Sequence, residues 1–564
     1  MRIKMQNFAN KHSILLPYLY FSYFSIVNQT LIFSTGMSGS TSLRDAVLMS
    51  VIWLIPYLLF PRQSKPIAAF LGLTLWLTSL ASLGYFLIYG QDFSQSAIFI
   101  IFESNMVEGN EFISSYLRWW HVLVFLAYSA IPVIIWTKLP ATPIEPLTRY
   151  TYAACFVVII SWPFFTKLLK VQNFDAARYH LLARLEPTAP WNIIVGYLKY
   201  REQLTSMQQL LKTNRSISPV KNLTINETLM PETLVLVIGE STNRQRMGLY
   251  GYPRATSPRL SMIKKELTIF SDVISPRPYT IESLQQILSS ADEKNPVPFY
   301  SQPTLLNILS QADLEITWIT NQQTQTRRNT MLTTLSQMAD NQVYLNNNRR
   351  QNSKQFDEVV LDPFMDAIKG SAPRKMIIVH LLGTHRKYDF RYPKKYDHFT
   401  DRTGVPEWIK DENLAEYNSY DNAVLYNDYI IAELIEGLRQ EDKKSLFVYL
   451  SDHGEEVFDY AQKPFCGRNE SDPSPAMYTV PFVTWKSKKL KNNLVAEWGN
   501  YTDRVFIASD FFYTLPDMIG INFDGMDRSR SLVSEEFKQR IRWIGDPSNL
   551  KKMKDYDSVD TFSN

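Results

Sequence analysis

Leu234-Val-Leu-Val-Ile238-Gly-Glu240 and Leu446-Phe-Val-Tyr-Leu450-Ser-Asp-His-Gly454 are the two stretches from which the fold is read. Each is a short apolar run closed by a turn residue, the pattern of a strand buried on both faces. Each also ends in residues that can hold a metal, Glu240 after the first and Asp452 with His453 after the second. Open parallel sheets collect their ligands at such strand ends. An Asp-His pair closing a strand can also be a capped turn with a surface histidine. A third run, Lys375-Met-Ile-Ile-Val-His-Leu-Leu-Gly-Thr-His385, carries two of the seven histidines, and three strand ends bearing His, Asp or Glu point towards a metal site.

Working outward, further apolar runs near 267–274, 314–319 and 478–484 alternate with helical stretches at Ala423–Arg439 and Arg504–Met518. That alternation predicts an α/β domain with a mostly parallel sheet. Upstream the composition changes. Five stretches, at about 14–34, 46–61, 67–89, 119–138 and 150–169, are long and apolar enough to cross a bilayer as helices. The chain of 564 residues therefore divides into a five-span membrane domain (1–170), a connector (171–230) and a soluble domain (231–564).

Lys and Arg set the orientation. Arg2, Lys4, Lys11, Arg62, Lys65, Lys138 and Arg149 flank one side of the spans, whereas the connection from about 90 to 118 carries Asp92, Glu103, Glu108 and Glu111. The N-terminus is expected in the cytoplasm and the soluble domain outside. No small-residue cleavage site follows the first apolar stretch, so no cleavable signal peptide is expected. In the connector, Tyr197, Tyr200, Leu204, Met207 and Leu211 form an apolar stripe of helical spacing. Such a helix either lies on the membrane or packs on its own domain. The formal net charge of +4 gives no case for nucleic-acid binding, and Cys155 and Cys466 are expected to form no structural disulfide.

Thr280 lies in Ser275-Pro-Arg-Pro-Tyr-Thr280-Ile-Glu-Ser283-Leu, an arrival loop running into a helix. Its ordinary reading is an N-cap. A hydroxyl at a helix N-terminus is also well placed to receive a phosphoryl group, because free N–H groups and the helix dipole favour negative charge there.

Six motifs occur in one order: Gly239-Glu-Ser-Thr-Asn-Arg244, Leu249-Tyr-Gly-Tyr-Pro-Arg254-Ala-Thr-Ser-Pro258, Thr280-x-x-Ser283, His380-x-x-Gly-x-His385, Tyr420-Asp-Asn-Ala423 and Ser451-Asp-His-Gly-Glu455. Together behind the apolar segment they resemble the lipid A and lipopolysaccharide phosphoethanolamine transferases, inner-membrane enzymes with a periplasmic domain of the alkaline phosphatase and sulfatase superfamily. The resemblance covers essentially the whole chain. Arg277-Pro-Tyr-Thr280, Thr320-Asn-Gln-Gln-Thr324, Gly467-Arg-Asn-Glu470 and Arg542-Trp-Ile-Gly545 are more similar to the branch that modifies core heptose.

The resemblance implies a fold, a reaction and a site. The fold is a multi-pass α-helical membrane domain followed by an α/β alkaline-phosphatase-like (sulfatase-like) domain. The reaction is transfer of phosphoethanolamine from phosphatidylethanolamine to lipopolysaccharide through a phosphothreonine on Thr280, at the inner membrane. The implied zinc ligands are Glu240, Thr280, Asp452 and His453. His385 is implied to protonate a leaving oxygen or bind phosphate, Glu108 to bind the ethanolamine ammonium, and Gln322 and Gln323 to bind phosphate. Several relatives have a histidine where this chain reads Lys463-Pro-Phe-Cys466-Gly, which puts a second metal in doubt. Cys466 is expected as a buried thiol, and Glu455 and Glu456 as ordinary carboxylates of the following turn. A phosphoglycerol transferase, a glucan-modifying transferase, lipid A as acceptor, and a membrane-anchored scaffold with a degenerate site are the competing readings. A sulfatase fits less well, since that chemistry uses a modified Cys or Ser.

Overall fold

The computed structural model describes residues 14–34, 40–89, 117–139, 145–213, 218–322, 331–346, 356–462, 464–470, 472–491, 498–547 and 553–559. Glu108 and Gln323 lie outside the described residues. The chain forms two compact units, residues 1–203 and 204–564.

The first unit is helical. Helices α1 (Leu15–Ser34), α2 (Ser40–Leu59), α3 (Ser64–Tyr89), α4 (Trp119–Thr137) and α5 (Pro146–Val171) cover the five apolar stretches. Four helical segments, Ser40–Leu59, Pro61–Ile88, Trp119–Thr137 and Pro146–Val171, are long and apolar enough to cross a membrane. Helix α1 is 20 residues long but carries buried Ser22, Ser25, Asn28 and Gln29, which make it the more polar one. Two of them bond inside the bundle: Asn28 Nδ2 donates to the Ser79 carbonyl at 2.9 Å and Ser25 Oγ accepts from the Ala189 N–H at 3.0 Å. Two more helices, α6 (Phe174–Leu185) and α7 (Trp191–Thr213), follow. On α7, Tyr200 and Leu204 of the apolar stripe are buried and Tyr197 is exposed.

The second unit is built on a seven-stranded sheet. In chain order its strands are β1 (Thr233–Gly239), β2 (Leu267–Phe270), β3 (Glu315–Thr320), β4 (Asn341–Tyr344), β5 (Lys375–His380), β6 (Ser445–Ser451) and β7 (Phe482–Lys486). The spatial order is β2-β7-β6-β1-β5-β3-β4. Strands β6, β1, β5, β3 and β4 run parallel, and β7 is antiparallel to both of its neighbours. Every residue of β1, β5 and β6 is buried, which is why their sequences read as unbroken apolar runs.

Val235, Val237, Ile377, Val379, Phe447 and Tyr449 pack against α10 (Asp411–Gln440) and α9 (Leu361–Lys369), contributed by Val424, Ile431, Leu434, Phe364 and Ile368; α8 (Thr280–Ile287) precedes both in the chain. The intervening residues Leu234, Leu236, Leu446 and Val448 are equally buried, so both faces of the sheet are covered.

Two expectations are corrected. The apolar run 267–274 is two strands, because Ser271 turns out of β2 to donate to the Thr502 carbonyl. The stretch 504–518 is not one helix. Val505–Ile507 forms a strand parallel to Asp272–Ile274, and only Phe511–Met518 is α-helical. The run Val505-Phe506-Ile507 has strand composition, and the pairing offered by Asp272–Ile274 outweighs helix propensity there.

Candidate metal centre

Register brings the ligands together. Gly239 of β1 pairs with Ser451 of β6, so Glu240 and the Asp452-His453 pair leave the same end of adjacent parallel strands. One oxygen or nitrogen from each of Glu240, Asp452 and His453 lies within 4.8 Å of the others. All three side chains are at most 1% exposed, and two carboxylates so deeply buried call for a partner of positive charge.

Local backbone fixes each ligand. Ser241, directly after Glu240, has φ 59°, a left-handed conformation that turns the chain sharply at the strand end. Its hydroxyl donates to Glu240 Oε1 at 2.8 Å and its N–H to Asp452 Oδ1 at 3.2 Å. The His453 N–H also donates to Asp452 Oδ1, at 2.7 Å. Gly383, with φ 53°, lets the loop after β5 pass against Glu240; a Cβ there would lie 2.9 Å from both its backbone N and O. At Gly454 a Cβ would lie 2.3 Å from the Ala476 carbonyl oxygen, so the turn after His453 admits only glycine.

The free lone pairs converge. Asp452 Oδ2 has no hydrogen-bond partner and lies 3.3 Å from His453 Nε2. His453 Nδ1 lies 2.9 Å from the Gly454 carbonyl, which assigns it the proton and leaves Nε2 a lone pair, 3.2 Å from Glu240 Oε1. Burial together with the Glu240 charge pushes the Asp452 carboxyl up to about 7. An orphaned carboxylate oxygen and an imidazole lone pair, beside a second buried carboxylate, fit a divalent cation.

Thr280 opens α8 and does not cap it; Tyr279 is the N-cap, without a side-chain hydrogen bond. The Thr280 hydroxyl instead donates to Glu240 Oε2 at 3.0 Å and lies 3.3 Å from His453 Nε2. Ser283, one helical turn on, donates to the Asp452 carbonyl at 2.5 Å and ties α8 to the ligand loop. The half-buried Thr280 thus sits at the helix N-terminus facing the three ligands.

The remaining expected residues divide. Gln322 Nε2 donates to Glu240 Oε2 at 3.2 Å and to the Leu381 carbonyl at 2.8 Å, bracing the carboxylate from behind. His385 Nδ1 lies 2.5 Å from the Arg386 carbonyl, and burial pushes the ring down to about 4. It is therefore neutral at neutral pH, with Nε2 an acceptor. His380 ends β5 but packs edge-on against Trp318, outside the ligand cluster. Burial holds the Cys466 thiol protonated, 3.6 Å from the Tyr388 hydroxyl. Glu455 is a structural carboxylate, accepting from Tyr388 at 2.9 Å.

Reading the sequence missed Arg468. Its Nη1 lies 2.6 Å from His453 Nε2 and its Nε 3.1 Å from Glu455 Oε2. The signal was present in Gly467-Arg-Asn-Glu470, a polar segment just downstream of the Asp-His pair.

Around the site the other motifs form a scaffold. The Tyr420 hydroxyl donates to the Ser241 carbonyl at 2.7 Å and accepts from the Asn243 N–H at 2.8 Å. Asp421 pairs with Arg246 at 2.7 Å and with Arg254 at 2.8 Å, all three buried.

Residues 232–521 match the sulfatase family. The chain is 44% identical over 547 residues to phosphoethanolamine transferase EptC of Escherichia coli O18:K1:H7, covering 96% of this chain and 95% of that one. It is likewise 44% identical to phosphoethanolamine transferase CptA of Salmonella typhimurium over 547 residues, with the same coverage. The crystal structure of the C-terminal periplasmic domain of E. coli EptC in complex with zinc superposes with a TM-score of 0.59 at 45% identity, covering 61% of this chain and 98% of that domain. The integral membrane lipooligosaccharide phosphoethanolamine transferase A of Neisseria meningitidis covers 92% of this chain and 98% of its own, with a TM-score of 0.62 at 19% identity, and shares its fold. Apolar helices followed by an α/β sulfatase-like domain, with 44% identity over nearly the full length, mean that this chain belongs to the phosphoethanolamine transferases of the alkaline phosphatase and sulfatase superfamily.

Proposed function

We propose that the protein transfers phosphoethanolamine from phosphatidylethanolamine to lipopolysaccharide, at core heptose, using Thr280 as nucleophile. The observation that carries this reading is the Thr280 hydroxyl 3.0 Å from Glu240 Oε2 and 3.3 Å from His453 Nε2, in a chain that belongs to this transferase family. Lipopolysaccharide and the core heptose rest on the resemblance of Arg277–Thr280, Gly467–Glu470 and Arg542–Gly545 to that branch. The protein is taken to lie in the inner membrane with five spans, N-terminus in the cytoplasm and second unit in the periplasm, where both lipids are within reach.

Glu240, Thr280, Asp452 and His453 would hold one zinc ion, the ion in the similar E. coli domain. A zinc ion bound there supplies Lewis acidity, lowering the pKa of a coordinated oxygen and offsetting phosphoryl charge. The chain supplies the rest. Glu240 holds the Thr280 hydroxyl in one orientation, and the N-terminus of α8 favours the anionic phosphodiester. The Thr280 Oγ–P bond forms as the P–O bond to diacylglycerol breaks, and the threonine proton ends on the departing diacylglycerol hydroxyl. A sugar hydroxyl then attacks the same phosphorus; the P–Oγ bond breaks, and the sugar's proton returns to Thr280. His385 is the residue we assign to proton transfer at the leaving oxygen or to phosphate binding. Glu108 binds the ethanolamine ammonium and Gln323 the phosphate, while Gln322 acts through Glu240.

Incubating the purified full-length protein with headgroup-labelled phosphatidylethanolamine and mapping the modified peptide by mass spectrometry tests this. Phosphoethanolamine on Thr280, absent in Thr280→Ala, is expected. A labelled Thr280→Ala protein removes the nucleophile assignment, and label from phosphatidylglycerol changes the donor. The lipopolysaccharide of a deletion strain identifies the acceptor.

A further inference from the structure

Arg468 has no part in the reaction just described, yet it reaches into the ligand cluster. The two ends of its guanidinium are held differently. Nε lies 3.1 Å from Glu455 Oε2, and Glu455 is fixed in turn by the Tyr388 hydroxyl at 2.9 Å, so this end is anchored. Nη1 lies 2.6 Å from His453 Nε2, 3.9 Å from Glu240 Oε1 and 3.5 Å from the carbonyl of Pro278, two residues before Thr280. The guanidinium carbon is 5.7 Å from the centre of the Tyr279 ring. Two residues on, Glu470 makes a buried ion pair with Arg277, so the segment Cys466–Glu470 grips the Thr280 loop at two points.

His453 Nε2 has one lone pair, because Nδ1 bonds the Gly454 carbonyl. In this geometry Arg468 donates into it. A metal ion needs the same lone pair, and the two cannot share it. Released from Nε2 but still anchored on Glu455, the guanidinium presents free N–H groups beside Thr280. A fixed, permanently charged fork suits the non-bridging oxygens of a phosphodiester.

We propose that Arg468 is the phosphoryl clamp of the Thr280 site, exchanging His453 Nε2 for the non-bridging phosphate oxygens of the lipid headgroup when His453 takes a metal. The exchange gives Arg468 two positions, one on His453 and one on substrate. The second position rests on Thr280 being the nucleophile; the first does not.

Detergent-solubilised full-length Arg468→Met and Arg468→Lys are compared with wild type by two measurements. Zinc affinity of metal-stripped protein is read by chelator competition, and Thr280 labelling by phosphatidylethanolamine is read by intact-mass spectrometry with zinc bound. Arg468→Met should bind zinc about tenfold more tightly, since a competing cation has gone. Its labelling should slow by about 100-fold or more, the usual cost of one oxyanion donor, with Arg468→Lys between. Unchanged or weaker zinc binding in Arg468→Met overturns the exchange. Labelling within about twofold of wild type, with zinc bound, overturns the clamp. If wild type itself is unlabelled, the Thr280 reading fails, and the zinc measurement still decides the exchange.

Discussion

The Thr280 hydroxyl and the Glu240 carboxylate lie 3.0 Å apart although 40 residues separate them in the chain. The contact joins the first turn of α8 to the end of the central strand, and it orients the hydroxyl before any substrate arrives.

Thr280→Ala should abolish transfer while leaving the fold intact, because the side chain bonds only at the site. Thr280→Ser keeps an oxygen but loses the methyl group that fixes its rotamer, and should retain partial activity. Transfer rate and thermal unfolding measured together check this; an active Thr280→Ala refutes it.

One zinc per chain is the expected stoichiometry, from one cluster of three buried protein ligands among the described residues. Chelation should remove activity and lower the unfolding temperature, with both restored by zinc. Asp452→Asn should reduce bound metal to a small fraction by elemental analysis, since it removes the anionic character of the orphaned oxygen.

Asp421 pairs with both Arg246 and Arg254 in the interior, and Arg246 also pairs with Asp459 at 3.1 Å. Asp421→Asn removes the carboxylate paired with Arg254 and one of the two paired with Arg246, and should destabilise the second unit by about 3–5 kcal/mol. Denaturant titration measures this. The change should also loosen the loop bearing Ser241, because Tyr420 beside it holds that loop.

Gly454→Ala places a methyl group 2.3 Å from the Ala476 carbonyl oxygen, a backbone atom that cannot swing away. Overpacking of this kind costs about 1–3 kcal/mol. The displaced turn carries His453, so metal affinity should fall together with stability; a variant with unaltered zinc binding would show that the turn tolerates the shift.

His380 gives a pH signature distinct from the site's own titration. Burial pushes its ring down to about 4, and Nε2 has no hydrogen-bond partner. The folded value lies below the unfolded value of about 6.5, so the stability is present above 6.5 and is lost as pH falls towards 4. Between pH 7 and pH 5 the loss should be about 2 kcal/mol. In His380→Leu that part of the acid dependence should vanish, as read from unfolding free energies at the two pH values.

Much of this was legible in sequence because fully buried parallel strands write themselves as apolar runs. Glu240, Asp452 and His453 could be found at the ends of those runs, since position along a parallel strand fixes which edge a residue reaches. Thr280 was legible as a helix start. Its role came from the resemblance alone, because a capping threonine and a threonine aimed at a neighbouring strand have the same local sequence. Gln322 shows the same ambiguity: its amide donates to Glu240 Oε2, a contact that its sequence neighbourhood does not announce. The strand Val505–Ile507 was hidden because its pairing partner, Asp272–Ile274, lies more than 200 residues earlier. Arg468 was overlooked because a lone arginine in a polar loop carries no periodicity, and its contacts come from three distant segments.

The buried thiol of Cys466 has a practical side. With Cys155 the only other cysteine, placed in α5 and assigned to the other unit, the second unit holds a single sulfhydryl and has nothing to oxidise in order to reach its fold. Its assembly calls on no thiol oxidase or isomerase. The unit should fold equally well when produced in a reducing cytosol, and reductants that unravel cross-linked envelope proteins should leave it untouched.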